Sequence, residues 1–236
     1  MPKQVTNVAV DDALTTIYRL SHDEQVEVIA ARVAERLGIT PASVAGMLSR
    51  LKRDEMVTID ARKRVALSEA GFARAEQMVR RHRLAECLLV EVLRLEWWRG
   101  YEEAHLMEHS ISDVTEPLII AVLGRPLQSP FGYPIPYGPS PSGAGSSDSD
   151  GERGAPPMSR QVLADLGAGD RTTVERVYEE EEELLRFFDA EGIRPGAPIE
   201  VAEVALYRGT ATVRLDGREL VLGLEAARRI WVPERP

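Results

Sequence analysis

The run Leu37-Gly38-Ile39-Thr40-Pro41 ends one helix and begins another within five residues, and no other stretch restricts the fold of the front of the chain as much. Upstream, Val26, Ile29, Ala30, Val33, Ala34 and Leu37 recur at three-and-four spacing, which predicts a helix over 26–37 that Gly38 terminates. Downstream, Thr40 suits an N-cap, Pro41 suits the first helical position, and Val44, Met47, Leu48 and Leu51 form an inward stripe. Helix, tight turn, helix is the arrangement in which the second helix enters a DNA major groove. A helix over 8–20 precedes the pair, with Asp11 and Asp12 in its first turn, where carboxylates suit the dipole, and Leu14, Ile17 and Tyr18 as its apolar stripe. After the pair, residues 56–60 and 64–67 flank the charged tip Ala61-Arg62-Lys63, a short hairpin that reads as a wing. The candidate DNA contacts are Thr40, Ala42, Ser43, Gly46 and Arg50 on the second helix and Arg62 and Lys63 on the wing. The small residues among them favour phosphate, thymine-methyl and shape readout over bidentate base contacts. Three-helix bundles with a hairpin also occur without any DNA role.

The net charge of -9 over 236 residues argues at first against nucleic acid. It is unevenly spread: residues 1–81 hold 13 Lys and Arg against 11 Asp and Glu, so the front is the electropositive part. Attraction to phosphate acts within about a Debye length, ~8 Å at physiological salt, and an acidic remainder does not veto contact by a basic face. The chain has no apolar run near the length of a membrane span, no secretory leader pattern and a single cysteine, which leads us to expect a cytoplasmic protein with no membrane partner. Cys87, amid Leu88, Leu89 and Val90, reads as a small buried hydrophobe rather than a ligand.

Ser68 caps a predicted long helix over 69–95, and shorter helices follow over 101–110 and 114–123. In the second of these three, His105, Glu108 and His109 share one face at offsets of three and four; in the first, His82 and Glu86 share another. Three of the four histidines of the chain thus lie among carboxylates at helical spacing. Imidazole and carboxylate together suit divalent first-row metals. The same spacing also serves a solvated helix face. The apolar residues of these helices exceed the needs of one small bundle, which points to a dimer interface.

Over 127–158 seven prolines alternate with Gly and Ser, around Ser146-Ser147-Asp148-Ser149-Asp150, a composition expected of a tether. Beyond it, 210–215 and 219–222 alternate around Asp216-Gly217 as a hairpin of a small β-barrel, with one acidic helix over 179–190 whose run Glu179 to Glu183 reads as a solvated face. The expected organisation is a winged helix-turn-helix domain over 1–72, a helical metal-binding and dimerisation domain over 73–126, a linker over 127–158 and a β-barrel domain over 159–236. The fold class is α+β, mainly α at the front with a small C-terminal barrel.

At this point the chain resembles the diphtheria-toxin-repressor, iron-dependent-regulator and manganese-transport-regulator family of metal-activated repressors. The resemblance runs over about 8–137 and rests on His82-Arg83-Leu84-Ala85-Glu86, on the helix ending Glu108-His109, and on Ser129-Pro130-Phe131-Gly132-Tyr133-Pro134-Ile135-Pro136. The tail is similar to the barrel related to ferrous-transport A proteins that longer members carry, through Gly192-Ile193-Arg194-Pro195-Gly196. The resemblance implies a primary metal site of Asp12, His105, Glu108 and His109. It implies an ancillary site of His82 and Glu86 with a tail carboxylate, Glu175, and an anion held near it by Arg83 and Ser129. The chain departs from the iron-type pattern, which has Met at Asp12 and Cys at His105. It departs from the manganese-type pattern in having His105 for a Glu and Thr15 for a second acidic residue. Tyr101 replaces the third helical ligand of the ancillary site, and Tyr178 stands where a Gln is usual. Removing thioether and thiolate donors hardens the site and favours Mn(II), then Fe(II). The expected function is a homodimeric, metal-dependent repressor of metal-transport and homeostasis genes, acting on double-stranded operator DNA with palindromic half-sites. It is not expected to be an enzyme. The competing readings are a metal-dependent enzyme built on the His/Glu cluster and a metal-buffering protein without affinity for DNA.

Overall fold

The computed structural model describes residues 8–138 and 158–234, which fall into two compact units. The first takes its residues from Met1–His82, Glu108–Glu116 and Pro136–Ala155, the second from Arg83–Met107, Pro117–Ile135 and Pro156–Pro236.

The first unit begins with α1 (Val8–Tyr18), which widens into a π turn over Arg19–Asp23. Leu14, Ile17 and Tyr18 face the core as expected, but Asp11, Ala13, Thr15 and Thr16 are buried as well, so α1 is enclosed on most sides rather than along one stripe. Next, α2 (Ala30–Leu37) starts four residues later than the periodicity predicts. The reason is local: Val65 N donates to Val28 O at 2.8 Å and Ile29 bridges Arg64, so the approach to α2 pairs with the wing instead of coiling. Gly38 ends α2 with φ of 62°, a left-handed position that glycine occupies without strain. The Thr40 hydroxyl accepts from Ser43 N and starts α3 (Pro41–Arg53).

Strands β1 (Val57–Ile59) and β2 (Val65–Leu67) pair antiparallel as the wing. At its tip Asp60 Oδ1 accepts from the backbone N–H of Arg62 and Arg64, and these bonds hold the Asp60 carboxyl below its usual range. Helix α4 (Glu69–Cys87) then packs Ala75 and Val79 into the core of Leu14, Ile17, Val33, Val44, Leu51 and Val57. Its first turn presses on the hairpin at Gly71, where a Cβ would lie 1.9 Å from Met56 O. Ser68 caps it, its hydroxyl accepting from Gly71 N at 3.1 Å.

In the second unit the chain leaves α4 through a π turn, Leu88–Val92, rather than continuing as one helix to 95, and after a short 3-10 turn enters α5 (Gly100–Glu108) and then α6 (Glu116–Leu123). The segment that follows is not the tether its prolines suggest. Over 128–135 it is a packed strap, with Phe131, Tyr133 and Ile135 buried, Trp97 Nε1 donating to Pro130 O, and Val177 N donating to Phe131 O. The aromatic residues between the prolines carry enough apolar surface to offset the ordering of so short a segment. Gly132 makes the close approach possible: its φ is 94°, and a Cβ there would lie 2.2 Å from Glu175 O. The Ser- and Asp-rich part of the expected linker lies outside the described residues.

The tail contains β3 (Arg171–Thr173), β4 (Arg176–Val177), α7 (Glu182–Glu191), β5 (Pro198–Ala205), β6 (Thr210–Leu215), β7 (Arg218–Gly223), α8 (Leu224–Ala227) and β8 (Ile230–Trp231). The predicted hairpin is present, with Asp216 and Gly217 both at positive φ in a two-residue loop. The expected barrel is not. The sheet is open, in the order β3-β5-β6-β7, and β8 pairs with β4 in a separate two-stranded ladder. Closure fails because α8 follows β7 and turns the chain away, leaving β3 and β7 at opposite edges. Under this sheet Leu185, Phe188, Val201, Val213 and Ile230 form one core with Phe131 and Trp97. No helix among the described residues is long and apolar enough to cross a membrane.

Candidate metal centre

Two consecutive carboxylates near the start of α1 address different neighbours, because successive helical residues project about 100° apart. Asp11 is buried and paired with Arg74 of α4, Nε to Oδ1 at 2.6 Å. Asp12 is directed to the end of α5, where its Oδ1 lies 3.2 Å from His109 Nε2. Glu108, the last residue of α5, lies beside them, its Oε1 3.3 Å from the same His109 nitrogen. One donor atom from each of Asp12, Glu108 and His109 falls within 4.8 Å of the other two. The other oxygen of Glu108 accepts from His82 Nδ1 at 2.5 Å, with the imidazole fully buried. A proton held on Nδ1 leaves Nε2 as the donor nitrogen of the neutral His82 ring.

Of the predicted primary set, the structure therefore brings together Asp12, Glu108 and His109. His105 is one turn earlier on α5 and exposed. Thr15, which stands for a second acidic residue, is buried in α1, and its hydroxyl has no hydrogen-bond partner among the described residues.

On α4 Glu86 follows His82 by one turn and is fully buried. Glu175, expected to join it, is committed elsewhere: it takes Arg176 Nη1 at 2.8 Å and accepts from Ser159 N. The carboxylate near Glu86 is instead Glu179, within 4.8 Å. Glu179 is buried and precedes α7, so the reading of Glu179 to Glu183 as a solvated helix face is corrected at its first member. Glu179 lies two residues beyond the buried Val177 that ends β4, on the chain between β4 and α7 and not within the helix.

Both clusters fit a hard divalent cation. Buried carboxylates this close repel one another unless a positive charge or a shared proton accompanies them, and the donors are all oxygen and imidazole nitrogen. The chain's thiol does not compete: Cys87 is buried, its Sγ faces Gln128 O at 3.6 Å, and burial together with the neighbouring Glu86 raises its pKa far above the usual thiol range. Arg83 is fully buried in the second unit, donates to Pro134 O at 2.7 Å and lies over the Tyr133 ring, while Ser129 Oγ accepts from Phe131 N. An anion there would share Arg83 with the strap.

The candidate DNA face is uniformly open: Thr40, Ala42, Ser43, Gly46, Arg50, Arg62 and Lys63 are all exposed, while Val44, Met47, Leu48 and Leu51 point inward.

Comparison with known proteins finds three family models along the chain. Residues 7–65 match the family model "Iron dependent repressor, N-terminal DNA binding domain" and 68–137 match "Iron dependent repressor, metal binding and dimerisation domain"; 161–234 match the FeoA domain. The iron-dependent repressor of Mycobacterium tuberculosis is 36% identical over 214 residues, 88% of this chain and 89% of that protein. The diphtheria toxin repressor of Corynebacterium diphtheriae is 31% identical over 94% of this chain and 95% of its own. A solved manganese-dependent transcriptional repressor in complex with manganese superposes with a TM-score of 0.81 at 31% identity, covering 94% of this chain and 98% of the other.

Proposed function

Because this chain belongs to the diphtheria toxin repressor and iron-dependent repressor family of metal-dependent transcriptional repressors, and is not an enzyme, we propose that it is a manganese- or iron-responsive repressor of metal-transport genes. The observation that carries this reading is the 3.2 Å approach of Asp12, on the first helix of the DNA-binding region, to His109 at the end of α5. A metal held by Asp12, Glu108 and His109 ties that helix to the dimerisation region, with His105 one turn away as a further donor. The cation supplies the positive charge that lets these carboxylates sit together. The chain's own residues do the rest: His82 orients Glu108 through its Nδ1 proton, and Asp12 transmits the occupied state to α1. Glu86 and Glu179 make a second candidate site, and Arg83 with Ser129 a candidate anion position.

The metal shifts a population. A ligand that binds the DNA-competent arrangement more tightly raises its fraction by that difference in affinity. The active form is a homodimer in the cytoplasm, reading palindromic half-sites about one DNA turn apart. Support for the dimer comes from Leu106, Leu118, Val122 and Leu127, all more than 60% exposed in the region that matches the dimerisation model. Mn(II) is the expected effector and Fe(II) the next, since an aspartate oxygen and imidazoles are hard to borderline donors.

The deciding experiment captures operator fragments from genomic DNA with Mn(II), anaerobic Fe(II), Zn(II) or chelator present, then titrates the captured sequence by fluorescence anisotropy. Metal-dependent, palindrome-specific binding is the expected result. Equal binding in chelator and metal, or response to Zn(II) alone, overturns the reading.

A further inference from the structure

The pairing of Asp11 with Arg74 has no part in the ligand set, and it lies one residue from Asp12. We infer that Arg74 and Asp11 are positioning residues for the metal site, a metal-independent ion pair that docks the first turn of α1 on α4 and so presents Asp12 to His109. The inference rests on the functional reading above.

The apolar anchors of α1 are concentrated downstream. Leu14, Ile17 and Tyr18 are essentially inaccessible, whereas Val8, in the first turn, is 46% exposed. Helix ends fray when nothing tertiary holds them, and the first turn has no internal hydrogen-bond partners for its N–H groups. Val10 packs on the core from this turn, and the fully enclosed polar side chain that ties it to α4 is Asp11, 2% exposed and 2.6 Å from Arg74 Nε, across 63 residues of sequence. The Arg74 side chain is about one-third exposed, so the pair lies at the edge of the core that α4 covers with Ala75 and Phe72. Whatever fraction of molecules has this turn docked is the fraction in which Asp12 is already in place, and apparent metal affinity falls in proportion to the loss of that fraction.

Charge alone predicts the opposite sign. Removing Arg74 deletes a positive charge near a cation site and leaves Asp11 negative, which by itself would tighten metal binding. The direction of the effect therefore separates positioning from electrostatics.

The test uses the full-length protein. In the metal-free state, hydrogen exchange of the amides over 12–15 should be faster in Arg74→Leu than in wild type, while α3 amides are unchanged. The Mn(II) concentration for half-maximal operator binding should rise about five- to tenfold, at the lower end of couplings between sites. Operator affinity at saturating Mn(II) should stay within about twofold of wild type. Arg74→Lys should recover most of the loss, Asp11→Asn should reproduce it in weaker form, and Arg74→Leu should add nothing on an Asp12→Ala background. An unchanged or lowered Mn(II) midpoint, unchanged exchange, or equal weakening at saturating metal overturns the inference. If Arg74→Leu does not fold, Arg74→Lys and Asp11→Asn decide by the same criteria. A wild type that ignores Mn(II) sinks the functional reading itself, and is seen before any variant is compared.

Discussion

Glu108→Ala and His109→Ala remove neighbouring members of one ligand group, yet the structure gives them different costs. The Glu108 carboxylate is about 4% exposed and accepts from the buried His82 Nδ1 at 2.5 Å. Deleting it strands that donor in a fully buried ring, which costs about 1–3 kcal/mol. For a chain of this length one kcal/mol moves the melting temperature by about 2–4 °C, so metal-free Glu108→Ala should melt roughly 2–12 °C below wild type. His109 is 15% exposed and its Nε2 meets Asp12 and Glu108 at 3.2 and 3.3 Å, distances that make weaker bonds, so metal-free His109→Ala should stay near wild type. With metal present the two variants become alike in what they lose. At one hundred times its dissociation constant, Mn(II) should stabilise wild type by about 2.7 kcal/mol, and a hundredfold loss of affinity leaves about 0.4 kcal/mol at the same concentration. Both variants should therefore lose nearly all of a roughly 5–11 °C Mn(II)-induced rise, along with operator binding. The assay is thermal melting with and without Mn(II), read beside an operator titration. A metal-free Glu108→Ala that melts with wild type refutes the structural role of the His82–Glu108 bond, and a variant that keeps the full Mn(II) rise refutes its place in the ligand group.

Substituting Arg50 or Lys63 by Ala should weaken binding to all DNA sequences alike and lower the salt slope by about one unit each, measured by operator titration across salt; a change in sequence preference with an unchanged slope would displace the recognition helix and wing. Asp12→Met, which trades a hard oxygen for a thioether, should move activation away from Mn(II) toward Fe(II), read as operator binding under anaerobic titration, and an untouched Mn(II) response contradicts it. Gly132→Ala forces a left-handed residue and a Cβ 2.2 Å from Glu175 O, so it should cost more than about 1–3 kcal/mol, checked by denaturant unfolding followed at Trp97. His22 stacks on Tyr18 at 4.6 Å, and burial lowers its pKa, so the fold favours the neutral ring. Its contribution is present above the unfolded value of 6.5 and is lost as pH falls through the lower folded value. Stability should thus decline on acidification below the unfolded value of 6.5, and His22→Phe should flatten that decline in a pH series of melts.

The front of the chain was legible because its signals are local. Gly38, Thr40-Pro41 and Ser68 each act through their own backbone, and all three occupy the caps their chemistry predicts. Helical spacing and family resemblance pick out Asp12, Glu108 and His109, whose donor atoms lie within 4.8 Å of one another. What escaped is decided by distant partners. Val28 and Ile29 carry a helical pattern but bond to the wing. The strap has the composition of a tether, and only the core it meets gives Phe131 and Tyr133 a place. Glu175 and Glu179 are both tail carboxylates near β4, and which one reaches Glu86 depends on Arg176 claiming the other. The barrel was over-read because alternation identifies strands and says nothing of whether the outer two meet.

The strap also settles how the chain can be cut and how it must mature. Phe131 and Trp97 are covered by Val177, Leu185 and Ile230, residues that are synthesised well after them. Until the tail exists, these aromatic rings have no permanent cover, so a nascent chain halted near residue 158 carries an adhesive surface that folding at the ribosome cannot hide. A chain that stops short of the tail would expose Phe131 and Trp97, which the full chain buries. The tail is thus the missing half of a core begun by residues more than forty positions upstream, and it cannot be shed as a detachable appendage.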